Sequence, residues 1–260
     1  MPTVRDIFTK LCGEMPLSGC ESWDNSGLLV GSADNEVKKV LVSLDVTLPV
    51  VSEAERGRYE LVVSHHPVIF RPVPSVTDET PTGLILQKLI KNDISVISMH
   101  TNADVACGGV NDLLAEALGL KDVGSLRGGE AGELGRFGEL CEQMTLHGFL
   151  EHVRASLSPF AGARFVDAGR PVKRVAVGGG ACGELLYNAK KTGCDTFLTS
   201  DIKYSSMLEA EALGLNLIDA GHFETENVVC PRFAGIIRGA FHGVEVKIAD
   251  GNVSPVEYFM

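Results

Sequence analysis

Four of the seven histidines in this chain fall in three short clusters, each closing an apolar run. Ser64-His65-His66-Pro67 follows Leu61-Val62-Val63. His100-Thr101-Asn102-Ala103-Asp104 follows the run from Ile94 to Met99. Gly221-His222-Phe223-Glu224-Thr225-Glu226 follows the run from Leu215 to Asp219. Imidazole and carboxylate without thiolate suit a divalent ion such as Zn²⁺, Fe²⁺ or Mn²⁺, and ligand type alone does not choose among them. In open α/β sheets, sites form outside the carboxyl ends of strands. Three such ends carrying His, Asp and Glu make a metal centre the leading expectation.

The spacing within each cluster sharpens this. Pro67 biases His66 toward extended backbone, and extended neighbours point to opposite faces. His65 and His66 are therefore expected to serve two ions rather than chelate one; two-metal sites hold their ions ~3.5–4 Å apart. The plainer reading is one surface imidazole and one packed on the core. Asp104 offers a hard oxygen ligand, or else caps the helix beginning near Gly109. His100 could ligate, orient a ligand, or move a proton as general acid or base. His222 and Glu226 are four apart and share a helical face, so Glu226 could bridge two ions. Glu224 is the rival carboxylate, and acidic residues there also suit the start of a helix.

Other segments compete for attention. Gly178-Gly179-Gly180-Ala181-Cys182-Gly183 fits G-x-G-x-x-G after a strand, with Asp201 placed 18 residues beyond Gly183. That is a dinucleotide-binding pattern, or a phosphate site of backbone N–H groups, or a tight turn with no ligand. In Trp23-Asp24-Asn25-Ser26-Gly27-Leu28 the only Trp could wall a pocket, but the structural reading, burial of apolar area, is preferred. Lys203 and Tyr204 stand where they could reach a substrate. His147, His152 and His242 lack ligand-like neighbours. The seven cysteines are scattered and never spaced Cys-x-x-Cys, as reduced cytosolic thiols are. Cys107, close to Asp104, is expected to be a plain buried thiol.

The elements that must position these residues alternate along the chain. Helices are expected over Thr3–Met15, Pro49–Arg56, Pro81–Lys91, Gly109–Leu118, Thr145–Leu157, Gly183–Lys191, Tyr204–Leu213 and Glu226–Ala240, where Pro231 should kink the helix or mark its true start. Strands are expected over Val37–Val46, Glu60–Ser64, Ile94–Met99, Arg136–Leu140, Lys173–Val177, Asp195–Ser200, Leu215–Asp219 and Val244–Ala249. This rhythm predicts an α/β protein of two lobes with mixed sheets flanked by helices. The glycine-rich stretch Gly124–Gly135 reads as a turn-rich boundary. An N-terminal lobe, 1–125, would then carry two clusters and a C-terminal lobe, 126–260, the third, with the site expected in the cleft between them.

At 260 residues the chain can bury an ample core. A net charge of −11 disfavours a general nucleic-acid or membrane-surface binder, because phosphate contacts need a basic face. No apolar stretch is long enough to span a bilayer, and Met1 to Glu14 reads as an amphipathic helix rather than a signal peptide. A cytoplasmic location is expected.

The Trp23 to Leu28 segment and the three clusters, in this order, resemble the Nif-three-like dinuclear metal protein family, also called the GTP cyclohydrolase I type two family. The resemblance runs from about Val4 to Val256 and fits the short form without an inserted domain. It implies two α/β lobes and a toroidal homohexamer with metal sites facing its cavity. It implies His65, His66, Asp104, His222 and Glu226 as ligands of two divalent ions, Glu226 bridging, with His100 in the motif as a ligand or a catalytic acid–base. The expected function is a dinuclear metal-dependent hydrolase of a small, anionic, nucleotide-like or phosphate-bearing substrate, ring opening of GTP being one case. The rivals are a metal-storage, metal-delivery or ring-shaped scaffold protein, and a dinucleotide-binding enzyme.

Overall fold

A computed structural model describes residues 1–129, 132–157, 160 and 162–257. In chain order the first elements are α1 (Val4–Glu14), β1 (Gly27–Val30), β2 (Lys39–Ser43), α2 (Leu48–Gly57), β3 (Leu61–Ser64), α3 (Pro81–Lys91), β4 (Ser95–Ser98) and α4 (Thr101–Val105). Next come α5 (Val110–Ala117), β5 (Lys121–Gly129), β6 (Gly132–Met144), α6 (Leu146–Ser156), β7 (Arg164–Val166) and β8 (Val172–Val177). The chain ends with α7 (Leu186–Lys191), β9 (Thr196–Thr199), α8 (Tyr204–Leu213), β10 (Asn216–Asp219), α9 (His222–Glu226), α10 (Val229–Ala240) and β11 (Glu245–Ile248). Among the described residues no helix is long and apolar enough to cross a membrane.

Contacts divide the chain into two compact units, cutting it at 106/107, 228/229 and 253/254, where the sequence suggests one cut at 125/126. The first unit joins Met1–Ala106 to Val229–Val253. Its sheet has the order β1-β4-β3-β2-β11, with β1 antiparallel to β4 and every other pair parallel. The return of the chain has a plain cause: Val246 of β11 pairs in parallel with Val40 of β2, so the last strand completes the first sheet. Pro231 is the third residue of α10, in a first turn whose amides have no intrahelical acceptor, and so marks the start of the helix rather than a kink. Strands β3 and β4 are buried at every position, as strands covered on both faces must be. Threonines at 3, 47 and 80 cap α1, α2 and α3, each accepting a backbone N–H of the first turn.

Three adjacent parallel strands of this unit end level. Ser43 pairs with Ser64, and Ser64 with Ser98, and all three are fully buried. The Ser43 hydroxyl donates to the carbonyl of Asp45 at 2.8 Å, and the Ser64 hydroxyl to that of His66 at 2.8 Å, so both strands leave the sheet by the same turn. Ser64 Oγ also lies 2.9 Å from Ser98 Oγ. Asp45, His66 and His100 are each two residues past their terminal serine and are thereby set at one level.

The second unit spans Cys107–Val228 with the tail from Ser254. Its sheet runs β5-β6-β8-β9-β10-β7; β8, β9 and β10 are parallel and the outer pairs antiparallel. Alternation decides its faces. Val175, Val177, Leu198 and Ile218 pack with Phe149 and Val153 of α6. Ala176, Phe197 and Leu217 pack with Leu186 and Ala189 of α7 and Ala210 of α8. The stretch Gly124–Gly135 is not a boundary but the tip of the β5–β6 hairpin; Glu130 and Ala131 lie outside the described residues. Gly124 serves packing, since a side chain there would meet the ring of Phe137, its partner across the ladder, at 2.7 Å.

Replacing Ser64 by Ala strips the His66 carbonyl and the Ser98 hydroxyl of a buried partner, a loss of about 1–3 kcal/mol. A urea unfolding curve should show that drop, and Ser75→Ala, at an exposed loop position, should show none.

Candidate metal centre

The first unit gathers His65, His66, His100 and Asp104 at its level strand ends. His65 is fully buried. Its Nδ1 lies 2.8 Å from the Met99 carbonyl, which only accepts, so Nδ1 carries the ring proton and Nε2 the lone pair. His66 Nδ1 meets Asp45 Oδ1 at 2.8 Å, and His100 Nδ1 meets Asp24 Oδ1 at 2.7 Å, with the same consequence. One nitrogen from each of these three rings lies within 4.8 Å of the other two. His65 Nε2 faces Asp104 Oδ1 at 3.5 Å. A lone pair facing a carboxylate at that distance is repulsive until a cation or proton comes between them.

Asp24 is the hub beneath His100. Its side chain is fully buried and also accepts from the Thr101 amide, the Thr101 hydroxyl at 2.6 Å and the Ser26 hydroxyl at 2.8 Å. Burial pushes its carboxyl up, but the hydrogen bonds from His100 and Thr101, the His100 charge and the Ser26 hydroxyl outweigh that and hold it well below the usual carboxylate range.

In the second unit, the short helix α9 puts His222 and Glu226 one turn apart, with His222 Nε2 2.9 Å from Glu226 Oε2. His222 Nδ1 lies 2.7 Å from Asp201 Oδ2. Glu226 is nearly buried, and Glu224 as well. The two carboxylates part company: Glu224 folds back so closely over Gly221 that a side chain there would lie 2.1 Å from Oε2. Burial pushes the Glu224 carboxyl up. Glu226, and not Glu224, thus meets His222.

The pattern is the same four times: an acceptor holds Nδ1 and aims Nε2. Metal-ligating histidines are held in this way, which sets their tautomer and orientation. With carboxylates and no thiolate beside them, the donors fit a divalent ion of the Zn, Fe or Mn type.

Residues 2–255 match the family model described as DUF34/NIF3 (NGG1p interacting factor 3). The chain belongs to this family. A Clostridium perfringens relative named "GTP cyclohydrolase 1 type 2 homolog" is 35% identical to this NIF3 protein over 232 residues, 86% of each chain. A crystal structure of a Staphylococcus aureus hypothetical protein superposes with a TM-score of 0.92 at 33% identity, covering 99% of both chains. A Bacillus cereus protein related to NIF3 superposes with a TM-score of 0.91 at 27% identity, covering 100% of this chain and 99% of that one.

Within this NIF3 chain several expectations change. His65 and His66 do not diverge; their ring centroids lie 5.0 Å apart, because β3 ends at Ser64 and strand alternation ends with it. The glycine loop is no phosphate cradle. The amides of Gly178, Gly179, Gly180 and Cys182 donate to Leu198 O, Asn111 Oδ1, Thr225 Oγ1 and Thr199 Oγ1. Asp201, placed by the dinucleotide pattern on a ribose, instead holds His222. Cys107 is exposed rather than buried. Lys203 lines a shallow cavity of about 370 Å³ with Tyr187, Asp201 and Ser206. Asp24 and Asp45 had no assigned role in the sequence; Asp45 stood inside an expected strand, Val37–Val46, that ends at Ser43.

The loop has another duty. Gly180 has φ +65°, and a side chain there would lie 2.0 Å from Glu226 Oε1 and 3.3 Å from His222 Nε2. Its amide holds Thr225, between the two, at 3.0 Å. Gly180→Ala should therefore displace Glu226, weaken metal binding roughly 10–100-fold as losses beside a ligand do, and cost about 1–2 kcal/mol of backbone strain. Gly183→Ala, facing open space, should do neither. Titration of both variants with Zn²⁺ beside thermal melts would show the contrast.

Proposed function

We propose that this NIF3-family protein is a dinuclear metal-dependent hydrolase of a small nucleotide-like or phosphate-bearing substrate. The observation that carries this reading is the fourfold arrangement of imidazoles whose Nδ1 is tied back by an acceptor, which makes Nε2 the ligating nitrogen. In this reading His65, His66 and Asp104 of the first unit and His222 and Glu226 of the second would hold two ions of Zn, Fe or Mn, Glu226 being the ligand common to both. Bound divalent ions supply Lewis acidity and a nucleophile at neutral pH.

The chain's own residues do the rest. Asp45 and Asp201 keep the Nδ1 protons of His66 and His222, so that the Nε2 lone pairs stay available. His100 is the general acid–base. Asp24 accepts its Nδ1 proton and stabilises the imidazolium, so proton exchange with substrate occurs at Nε2. The name of the Clostridium perfringens relative supports a purine nucleotide as substrate and hydrolytic opening of its ring as the reaction. A homohexamer working in the cytoplasm belongs to the same reading. The family description, an interacting factor, favours a second one, in which the protein delivers metal or serves as a ring-shaped scaffold.

Elemental analysis of protein purified without chelators should find about two metal equivalents per chain. His66→Ala and Asp104→Ala should lose metal and GTP turnover together. His100→Ala should keep its metal and lose about 100-fold or more in turnover. Metal lost from His66→Ala or Asp104→Ala with turnover unchanged would sink the hydrolase reading, and metal handed to a partner without turnover would favour the second.

A further inference from the structure

Trp23 is the one tryptophan in the chain, and 60% of it is exposed. Beside it Phe70 is 46% exposed. The expectation that Trp23 simply buries apolar area therefore fails. An aromatic side chain has about 150–250 Å² to hide, and large apolar surface left in water is the informative exception.

The exposure is not slackness. The two residues that follow Trp23 in its loop are tied down. Asp24 is the buried hub that accepts from His100, Thr101 and Ser26. Asn25 donates from Nδ2 to the carbonyl of Ile69, the residue before Phe70. One bond thus links the loop carrying Trp23 to the loop carrying Phe70. A frame this well anchored holds two aromatic rings out toward solvent.

The rings also meet the candidate centre. Trp23 and Phe70 lie 6.0 Å apart, Trp23 and His100 6.2 Å, and Phe70 and His100 5.9 Å, between centroids. The angles between their planes are 76°, 75° and 89°. Three planes close to mutually perpendicular form the corner of a box. Two walls are apolar π-faces and the third is the imidazole assigned to proton transfer. A flat ring laid on one aromatic face turns its rim toward another, and brings its polar edge to His100.

We infer that Trp23 and Phe70 form a stacking corner for the planar heteroaromatic ring of the substrate, a nucleobase, which they deliver to His100. This deepens the hydrolase reading and rests on it for the role of His100. A sugar or phosphate alone gains little from such a corner, whereas every base has a π-face, and base–aromatic stacking is worth enough to shift affinity several-fold per ring.

The single tryptophan makes the test direct. Guanosine, adenosine and ribose 5-phosphate are each titrated into the protein as purified while Trp23 fluorescence is followed, with metal content measured on the same samples. Saturable quenching by the nucleosides and none by ribose 5-phosphate is expected. Phe70→Ala should raise the nucleoside Kd about tenfold, with metal content and melting temperature unchanged, and Phe70→Tyr should restore it. Quenching absent at wild-type metal content would overturn the stacking corner and leave the metal reading standing. An emission already that of a buried indole, shifting red on dilution, would overturn it too, because the pair would then be covered by a second copy. Loss of metal from wild type itself would instead count against the hydrolase reading.

Discussion

An imidazole has two nitrogens, and binding with one requires control of the other. In this protein that control is the interaction on which the rest depends. Met99 O, Asp45, Asp24 and Asp201 each take the Nδ1 side of one histidine. Each bond removes a tautomer and a rotational freedom from its ring before any ligand arrives. A site assembled from rings already aimed loses less entropy on binding than one whose rings must be collected. The three carboxylates are also outer partners of the kind that raise the basicity of a ligating imidazole.

Those acceptors must stand at the right height, and the sheets see to it. In the first unit the registered serines 43, 64 and 98 end three parallel strands at one level, and two of their hydroxyls fold the exiting chain through the same turn. Asp45 and His66 then fall side by side because they stand two residues beyond paired positions. The second unit repeats the device with different residues: Thr199 pairs with Asp219, Asp201 follows the first strand end, and His222 follows the second. Parallel strands put successive carboxyl ends at one edge, so a donor on one strand and its acceptor on the next need no long loops to meet.

Much of this was legible beforehand. The three clusters, the alternation of strand and helix, and the pairing of His222 with Glu226 one turn apart all follow from spacing. What was not legible had local causes. Asp45 was hidden because Leu44 and Val46 carry the apolar pattern of Val40–Val42 past the true strand end, and only the Ser43 hydroxyl bond reveals the turn. Convergence of His65 and His66 contradicts strand alternation because neither residue is in the strand. The glycine loop looked like a phosphate cradle because the pattern records where side chains are missing, not where the amides point. Here the missing side chain makes room for Glu226, and the amides are used within the fold. The return of β11 to the first sheet is a long-range pairing that no local pattern encodes.

The same carboxylates that aim the histidines carry a cost. Asp24 has no side-chain exposure, and Asp104 only 14%. Buried anions demand compensation. For Asp24 it is internal, supplied by Thr101, Ser26 and the His100 ring. Asp104 faces Nε2 of His65 at 3.5 Å, across the ring from the proton held toward Met99. Adding negative charge to a chain that already carries −11 would be a poor route to stability alone. A cation at the strand ends would offset that negative charge, and by linkage whatever binds the folded state alone also stabilises it, by ~2.7 kcal/mol at 100 times Kd. On the metal reading, folding and ion binding are two sides of one electrostatic balance, set by how many carboxylates the strand ends bring together.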